Sequence, residues 1–134
     1  MKTDMKFTRI TIERTHCFGH CPVYTAAISY TGEVHYNGED YVERTGDHSW
    51  RIAPATVEAL EQLIDRTGYL DLAEDYVDGE STCAGFCNTS VTRLDGTVKT
   101  VRHYLGDFGA QAQLYAFEEG VDALAGIRAY TTDG

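Results

Sequence analysis

Two short loops carry the residues with the clearest capacity for chemistry, and each has the pattern Cys-x3-Cys. The first pair is Cys17 and Cys21, and the second is Cys83 and Cys87. Each loop holds a glycine and a phenylalanine between its cysteines and precedes a segment with strand character. If both loops leave the sheet at the same end, their four sulfur atoms converge there.

Four converging sulfur atoms are compatible with three kinds of chemistry. They can bind zinc tetrahedrally with a Zn–S distance of about 2.3 Å, and His16 or His20 can replace one thiolate. They can form local disulfides, because a tight bend can bring two Cα atoms within the required ~4.4–6.8 Å, or they can remain buried thiols. They can also act in thiol exchange, because His16 and His20 flank the first pair and favour a thiolate at Cys17 or Cys21.

The spacing of the cysteines favours some of these alternatives over others. Structural zinc sites generally use a Cys-x-x-Cys spacing, and redox-active pairs use the same spacing beside a βαβ unit. This sequence has neither feature. We therefore favour local disulfides or buried thiols at Cys17, Cys21, Cys83 and Cys87, with zinc binding and thiol redox chemistry as alternatives.

Alternating apolar and polar residues predict the strands that position these loops. Ile10 and Ile12 fall on one face of a first strand, and a hairpin follows with a turn at Thr31-Gly32. Short strands around 41–44 and 50–52 extend this meander. A second hairpin spans 89–94 and 98–104, where Asp95-Gly96 is typical of a type I′ turn.

Two helices complete the predicted fold. Pro54 at the start and Gly68 at the end bound a helix over 54–67. Asp107 can cap a second helix, in which Gly120 costs about 1 kcal/mol relative to alanine. Its apolar stripe consists of Leu114, Phe117, Val121 and Leu124. The sequence therefore predicts one α+β domain over 1–134, in which an antiparallel β-sheet (meander plus hairpin, about six strands) carries both helices on one face.

Charge and composition exclude several functional classes. The chain has 21 carboxylates against 11 Lys and Arg, a formal charge of −10, with no basic segment. Such a surface disfavours nucleic acid as a partner. No apolar run approaches the ~20 residues that span a bilayer, and residues 1–6 lack a signal-peptide core, so we expect a cytoplasmic protein without a membrane partner.

The sequence also lacks the common catalytic motifs. It contains no Gly-x-Ser-x-Gly elbow, no phosphate-binding glycine loop and no His-Glu-x-x-His helix. His35 and His103 lie on predicted strands, where a single histidine is usually structural. These observations favour a non-enzymatic binding or structural module with an unidentified protein or small-molecule partner.

A family resemblance rests on the first cysteine loop. The segment Cys-Phe-Gly-His-Cys-Pro-Val-Tyr over 17–24 resembles the CFGxCPxY signature of a bacterial family of domains of unknown function. The resemblance extends over 8–30, the segment near Tyr41 and the strand over 101–104. It implies a compact β-rich domain without an assigned activity. Members of that family usually carry Thr and Asp in place of Cys83 and Cys87, so a four-sulfur metal site would be specific to this chain.

Overall fold

Seven β-strands form one sheet in a computed structural model of the chain, which describes residues 7–17, 19–77, 84–105 and 112–131. Each strand is two to eight residues long. In chain order the strands are β1 (Arg9–Arg14), β2 (Val23–Ser29), β3 (Glu33–Asp40), β4 (Gly46–Arg51), β5 (Asp75–Tyr76), β6 (Phe86–Thr92) and β7 (Val98–Tyr104).

The first strand of the chain occupies the centre of the sheet. The strand order is β4-β3-β2-β1-β6-β7-β5, so β1 joins the meander β1–β4 to the hairpin β6–β7. Neighbouring strands are antiparallel, except that β5 pairs with β7 in parallel. The predicted α+β class with a mainly antiparallel sheet is confirmed. The strand β5, in the acidic connection after the first helix, was not predicted.

The helices all pack on one face of the sheet. The first, α1 (Pro54–Thr67), has the predicted bounds and ends at Gly68, whose φ of 66° allows its N–H to bond the last carbonyls. A short 3₁₀ helix (Tyr69–Asp71), α2 (Ala112–Leu124) and α3 (Arg128–Thr131) follow. The proposed cap Asp107 lies outside the described residues. Among the described residues, no helix is long and apolar enough to cross a lipid bilayer.

The core lies between the helices and the alternate side chains that face them from the sheet. On β1, for example, Ile10 and Ile12 are buried, whereas Arg9 and Glu13 are exposed. The other buried sheet residues with apolar side chains include Tyr24, Ile28, Val34, Tyr36, Val91 and Val101. The helices contribute Val57, Leu60, Leu63, Ile64, Leu114, Phe117 and Val121. The predicted stripe on α2 therefore packs in the core, with Leu124 half-buried at its end.

The predicted strand over 41–44 is wrong. These residues form the turn between β3 and β4, and Tyr41 adopts a left-handed φ of 55°. The Arg44 N–H donates to the carbonyl of Tyr130 rather than to a strand. The alternation of apolar and polar residues gave a wrong prediction here because these residues form a turn that is hydrogen-bonded to α3, and not a strand paired with a neighbour.

The second hairpin forms as predicted, but β6 covers 86–92 in place of the predicted 89–94, and the turn is different. The Arg93 N–H donates to the Thr97 carbonyl, and the Gly96 N–H donates to the Arg93 carbonyl. Gly96 has a φ of 90°, whereas Asp95 has no positive φ. The loop is therefore a turn followed by one left-handed glycine, and not the two-residue type I′ turn that the Asp-Gly pair predicts.

At Gly120, α2 lies against Leu63 of α1. A Cβ atom at this position would lie 2.7 Å from Cδ2 and 3.3 Å from Cγ of Leu63, which is fully buried on α1. By helix propensity alone, this glycine weakens α2. The structure gives a reason for its presence, since any side chain here must displace Leu63.

We expect the substitution Gly120→Val to destabilise the protein by about 1–3 kcal/mol, because it overpacks the contact between α1 and α2. The measurement is the free energy of unfolding in urea. Ala116→Val is the matched control, since Ala116 lies exposed on the same helix. Valine has a higher helix propensity than glycine, so a loss at Gly120 has to come from the helix contact. A Gly120→Val variant as stable as the wild type would mean that Leu63 accommodates the added side chain.

Candidate functional site

The first cysteine loop is closed by a disulfide. The Sγ atoms of Cys17 and Cys21 are 2.06 Å apart, and the two Cα atoms are 5.9 Å apart. The Gly19 N–H donates to Sγ of Cys17 at 3.2 Å. The bond therefore ties together the residues that lead out of β1 and into β2.

The second loop approaches the sheet beside the first. The Thr15 N–H donates to the Phe86 carbonyl at 3.0 Å, and the Phe86 N–H donates to Oγ1 of Thr15 at 2.9 Å. Gly85 lies against the backbone of His16, where a Cβ atom would be 2.7 Å from the carbonyl oxygen. In its described part, the second loop thus shares one end of the sheet with the first, as predicted. Cys83 itself lies outside the described residues.

The structure describes three other candidate ligands, which are His16, His20 and Cys87. Cys87 is a free, buried thiol on β6. His16 Nε2 lies 3.4 Å from an Asp40 carboxylate oxygen, and the His20 ring lies 4.8 Å from that of Tyr41. Within residues 7–17, 19–77, 84–105 and 112–131, no three His, Cys, Asp or Glu side chains are placed to hold a metal ion. The zinc and thiol-redox hypotheses, which include Cys83, stay predictions.

A row of polar side chains crosses the sheet under α2. The strand register places His103 beside Cys87, Cys87 beside Arg14, and Arg14 beside Tyr24, on β7, β6, β1 and β2 respectively. Cys87 and His103 are fully buried. We call these four residues the polar row.

Asp122 on α2 binds one half of the polar row. Its Oδ2 accepts hydrogen bonds from Arg14 Nη2 at 2.8 Å and from Arg14 Nε at 3.2 Å. Its Oδ1 accepts the hydroxyl proton of Tyr24, and the same hydroxyl oxygen accepts from Arg14 Nε at 3.0 Å. The buried carboxylate, the guanidinium and the phenol thus provide hydrogen-bond partners for one another, and the two charges are paired.

Glu118 binds the other half, one helical turn before Asp122. Its Oε2 lies 2.6 Å from Nδ1 of His103, which donates its ring proton. The Cys87 thiol donates to the same carboxylate. The exposed fraction of Glu118 is 1% and that of Asp122 is 6%, so both carboxylates of α2 act inside the protein.

Cys87, His103 and Glu118 together resemble a nucleophile with its base and acid, but the geometry opposes that role. Burial raises the pKa of the Cys87 thiol well above its ordinary value, and the neighbouring carboxylates raise it further against the opposing charge of Arg14. Glu118 accepts both the thiol and the imidazole proton, so the imidazole does not take the thiol proton. The raised pKa favours the protonated thiol at neutral pH.

The buried phenol of the row is held in its neutral form as well. Burial raises the pKa of Tyr24, and the Asp122 carboxylate adds to this effect. His103 Nε2 is buried and has no hydrogen-bond partner among the described residues. The polar row therefore links α2 to the sheet through buried hydrogen bonds.

The opposite face of the sheet is free of the described helices and holds an open depression of about 430 Å³ over β1 to β4. Small and polar side chains line it. They include Thr11, Thr25, Ala27, His35, Asn37 and Ser49. Internal hydrogen bonds order this surface, with Ser49 Oγ 2.9 Å from His35 Nδ1, and Asn37 Nδ2 donating to Asp47 at 2.7 Å.

Sequence reasoning missed the partners of Cys87. Arg14, Glu118 and Asp122 were not singled out. The available signal was the spacing of four between Glu118 and Asp122 on α2 beside the apolar stripe, which places two carboxylates toward the core. His103, which the sequence analysis treats as a structural strand histidine, is fully buried and bonded to Glu118.

We expect the stability of the protein to fall as the pH rises above about 9, because the unfolded thiol ionises there while the folded Cys87 keeps its proton. The raised folded pKa means that this contribution is fully present at lower pH. In Cys87→Ser, which has no thiol to titrate, the decline from about pH 9 to about pH 10 should be shallower by up to about 1.4 kcal/mol per pH unit. The measurement is the free energy of urea unfolding at each pH, and parallel curves for both proteins would contradict the assignment.

Comparison with known proteins gives a family but no activity. No match was found among curated proteins. A family model described as "Domain of unknown function (DUF6438)" matches residues 8–125, which include β1, the disulfide loop, the polar row and both carboxylates of α2. Because the match covers most of the chain, this protein belongs to the DUF6438 family of domains of unknown function.

Proposed function

We propose that this chain is a non-enzymatic module that binds a small polar molecule on the helix-free face of its sheet, while the Cys17–Cys21 disulfide fixes the adjoining loop. The observation that carries the proposal is the open depression over β1 to β4. The depression presents many polar groups to solvent. A binding site of this volume is in the usual range of ~300–1,000 Å³ for small ligands.

The lining of the depression sets the chemistry of the ligand. Thr11, Thr25 and Ser49 offer hydroxyl groups that donate and accept, and Asn37 adds an amide. Ala27 leaves space on its floor. One arginine and two carboxylates (Arg9, Glu13 and Asp47) also line it, so the formal charge of the lining is close to neutral. These groups fit an uncharged molecule that carries hydroxyl or amide groups.

The opposite face supports a non-enzymatic role. The groups with catalytic potential, Cys87, His103 and Glu118, are fully or almost fully buried and bonded to one another. They stabilise the scaffold. The exposed depression contains hydrogen-bonding groups, but both of its histidine rings already have partners, with Nδ1 of His35 bonded to Ser49 and Nε2 of His48 bonded to the Thr45 carbonyl.

Binding is tested with a library of uncharged fragments that bear hydroxyl or amide groups, observed by amide chemical shifts in ¹⁵N-labelled protein. We expect the shifts to cluster at Thr25, Ala27 and His35. Ala27→Arg should abolish them by filling the depression, whereas Thr100→Arg, on the same face but on β7, should not. Shifts that cluster elsewhere, or that persist in Ala27→Arg, would reject this surface as the site.

The disulfide is expected to stabilise the module without taking part in binding. Loss of a bond that closes so short a loop costs about 2 kcal/mol in the loop-entropy treatment. Cys17→Ser, Cys21→Ser and the double variant should therefore lose similar stability, because each removes the same bond. Their folded fraction should still bind fragments. Unchanged melting temperatures would show that the bond does not fix the sheet end.

A further inference from the structure

The outer edge of the sheet at β4 presents unpaired backbone groups. The Ile52 N–H donates to the Gly32 carbonyl at 2.8 Å, and the register continues through Trp50 opposite Val34. In an antiparallel ladder the directly bonded pairs alternate, so the even-numbered residues of β4 bond to β3. The backbone groups of Asp47, Ser49 and Arg51 consequently point away from the sheet. No hydrogen bond to these groups occurs within the described ranges.

The side chains of the same three residues form a self-complementary pattern. Asp47, Ser49 and Arg51 lie on the helix-free face, and all three are exposed. If β4 pairs antiparallel with β4 of a second copy and Ser49 lies on the two-fold axis, Asp47 of each copy lies opposite Arg51 of the other. Opposite charges placed directly across two strands stabilise their pairing. A shift of two residues in either direction breaks both ion pairs.

The outward backbone groups agree with this register. A pair centred on Ser49 joins Asp47, Ser49 and Arg51 only to one another, and these are the three residues whose N–H and C=O groups are free at the edge. Every such group then finds a partner, which gives three directly bonded residue pairs across the axis. Charge and backbone geometry therefore select the same alignment.

The other face of β4 is complementary as well. In this register His48 lies opposite Trp50 of the second copy. Trp50 is held in place because its ring stacks on Tyr130 at a centroid distance of 4.3 Å and its Nε1 donates to the Ala125 carbonyl at 2.8 Å. Both His48 and Trp50 are half-buried, so their rings still expose surface that a neighbouring strand can cover.

We propose that a second copy of this chain pairs with β4, centred on Ser49, and joins the two sheets into one continuous sheet with a two-fold axis. The charges of Asp47 and Arg51 make the edge a poor match for an unrelated strand and a good match for itself. This proposal does not rest on the proposed ligand site, and either can fail without the other.

The test is sedimentation velocity of the full chain from about 5 µM to about 500 µM in about 0.15 M salt. We expect a concentration-dependent dimer. Asp47→Arg and Arg51→Asp should each weaken it at least about tenfold, because each creates like charges across the axis. The double variant Asp47→Arg/Arg51→Asp should restore it. Glu39→Arg, which makes the same charge change on β3 away from the edge, should leave it unchanged.

Circular dichroism of each variant shows whether it is folded. If a single variant does not fold, the double variant decides the outcome. A wild-type chain that stays monomeric over the whole range overturns the proposal. So does a dimer that tolerates both single substitutions, or a double variant that is folded yet monomeric. A complex with a different protein on this edge, without self-association, would likewise overturn it.

Discussion

The attachment of α2 to the sheet depends on two carboxylates that lie one helical turn apart. Asp122 neutralises Arg14 and accepts from Tyr24, while Glu118 accepts from His103 and Cys87. Buried charges are costly unless each is paired and hydrogen-bonded. The helix is therefore stable only in the position where its two carboxylates reach the residues of the polar row. Since the polar row spans four strands, the pairing fixes both the position and the direction of α2. An apolar stripe alone would leave the helix free to slide along the sheet.

This arrangement separates the two faces of the molecule. The helix-covered face contains the buried aromatic, aliphatic and ionic groups, whereas the other face carries hydroxyl, amide and small side chains. The disulfide loop lies at the end of the sheet, between β1 and β2 and next to the start of β6. The same strands thus supply a rigid scaffold on one side and an accessible polar surface on the other. Any ligand bound on the open face would leave the network under α2 undisturbed.

Much of the fold follows from local patterns in the sequence. The period of two in the strands, and Pro54 with Gly68 around α1, predict these elements because they reflect local backbone preferences. The polar row could not be predicted, because it depends on which strands are neighbours. Arg14 and Cys87 are distant in sequence and become adjacent only through the pairing of β1 with β6. The cysteine spacing indicated a shared sheet end, but not that Cys87 points into the core.

The central position of β1 has a consequence for how the sheet assembles. Its contact with β2 is local, whereas its contact with β6 joins residues 79 positions apart, as between Thr11 and Ser90. Closing so long a loop costs more chain entropy than forming a hairpin. The pairing of β1 with β6 is therefore expected to be a slow step of folding. Until β6 arrives during synthesis, the inner edge of β1 is an open strand edge flanked by apolar side chains. A ribosome that pauses before β6 would therefore hold a half-sheet prone to aggregation.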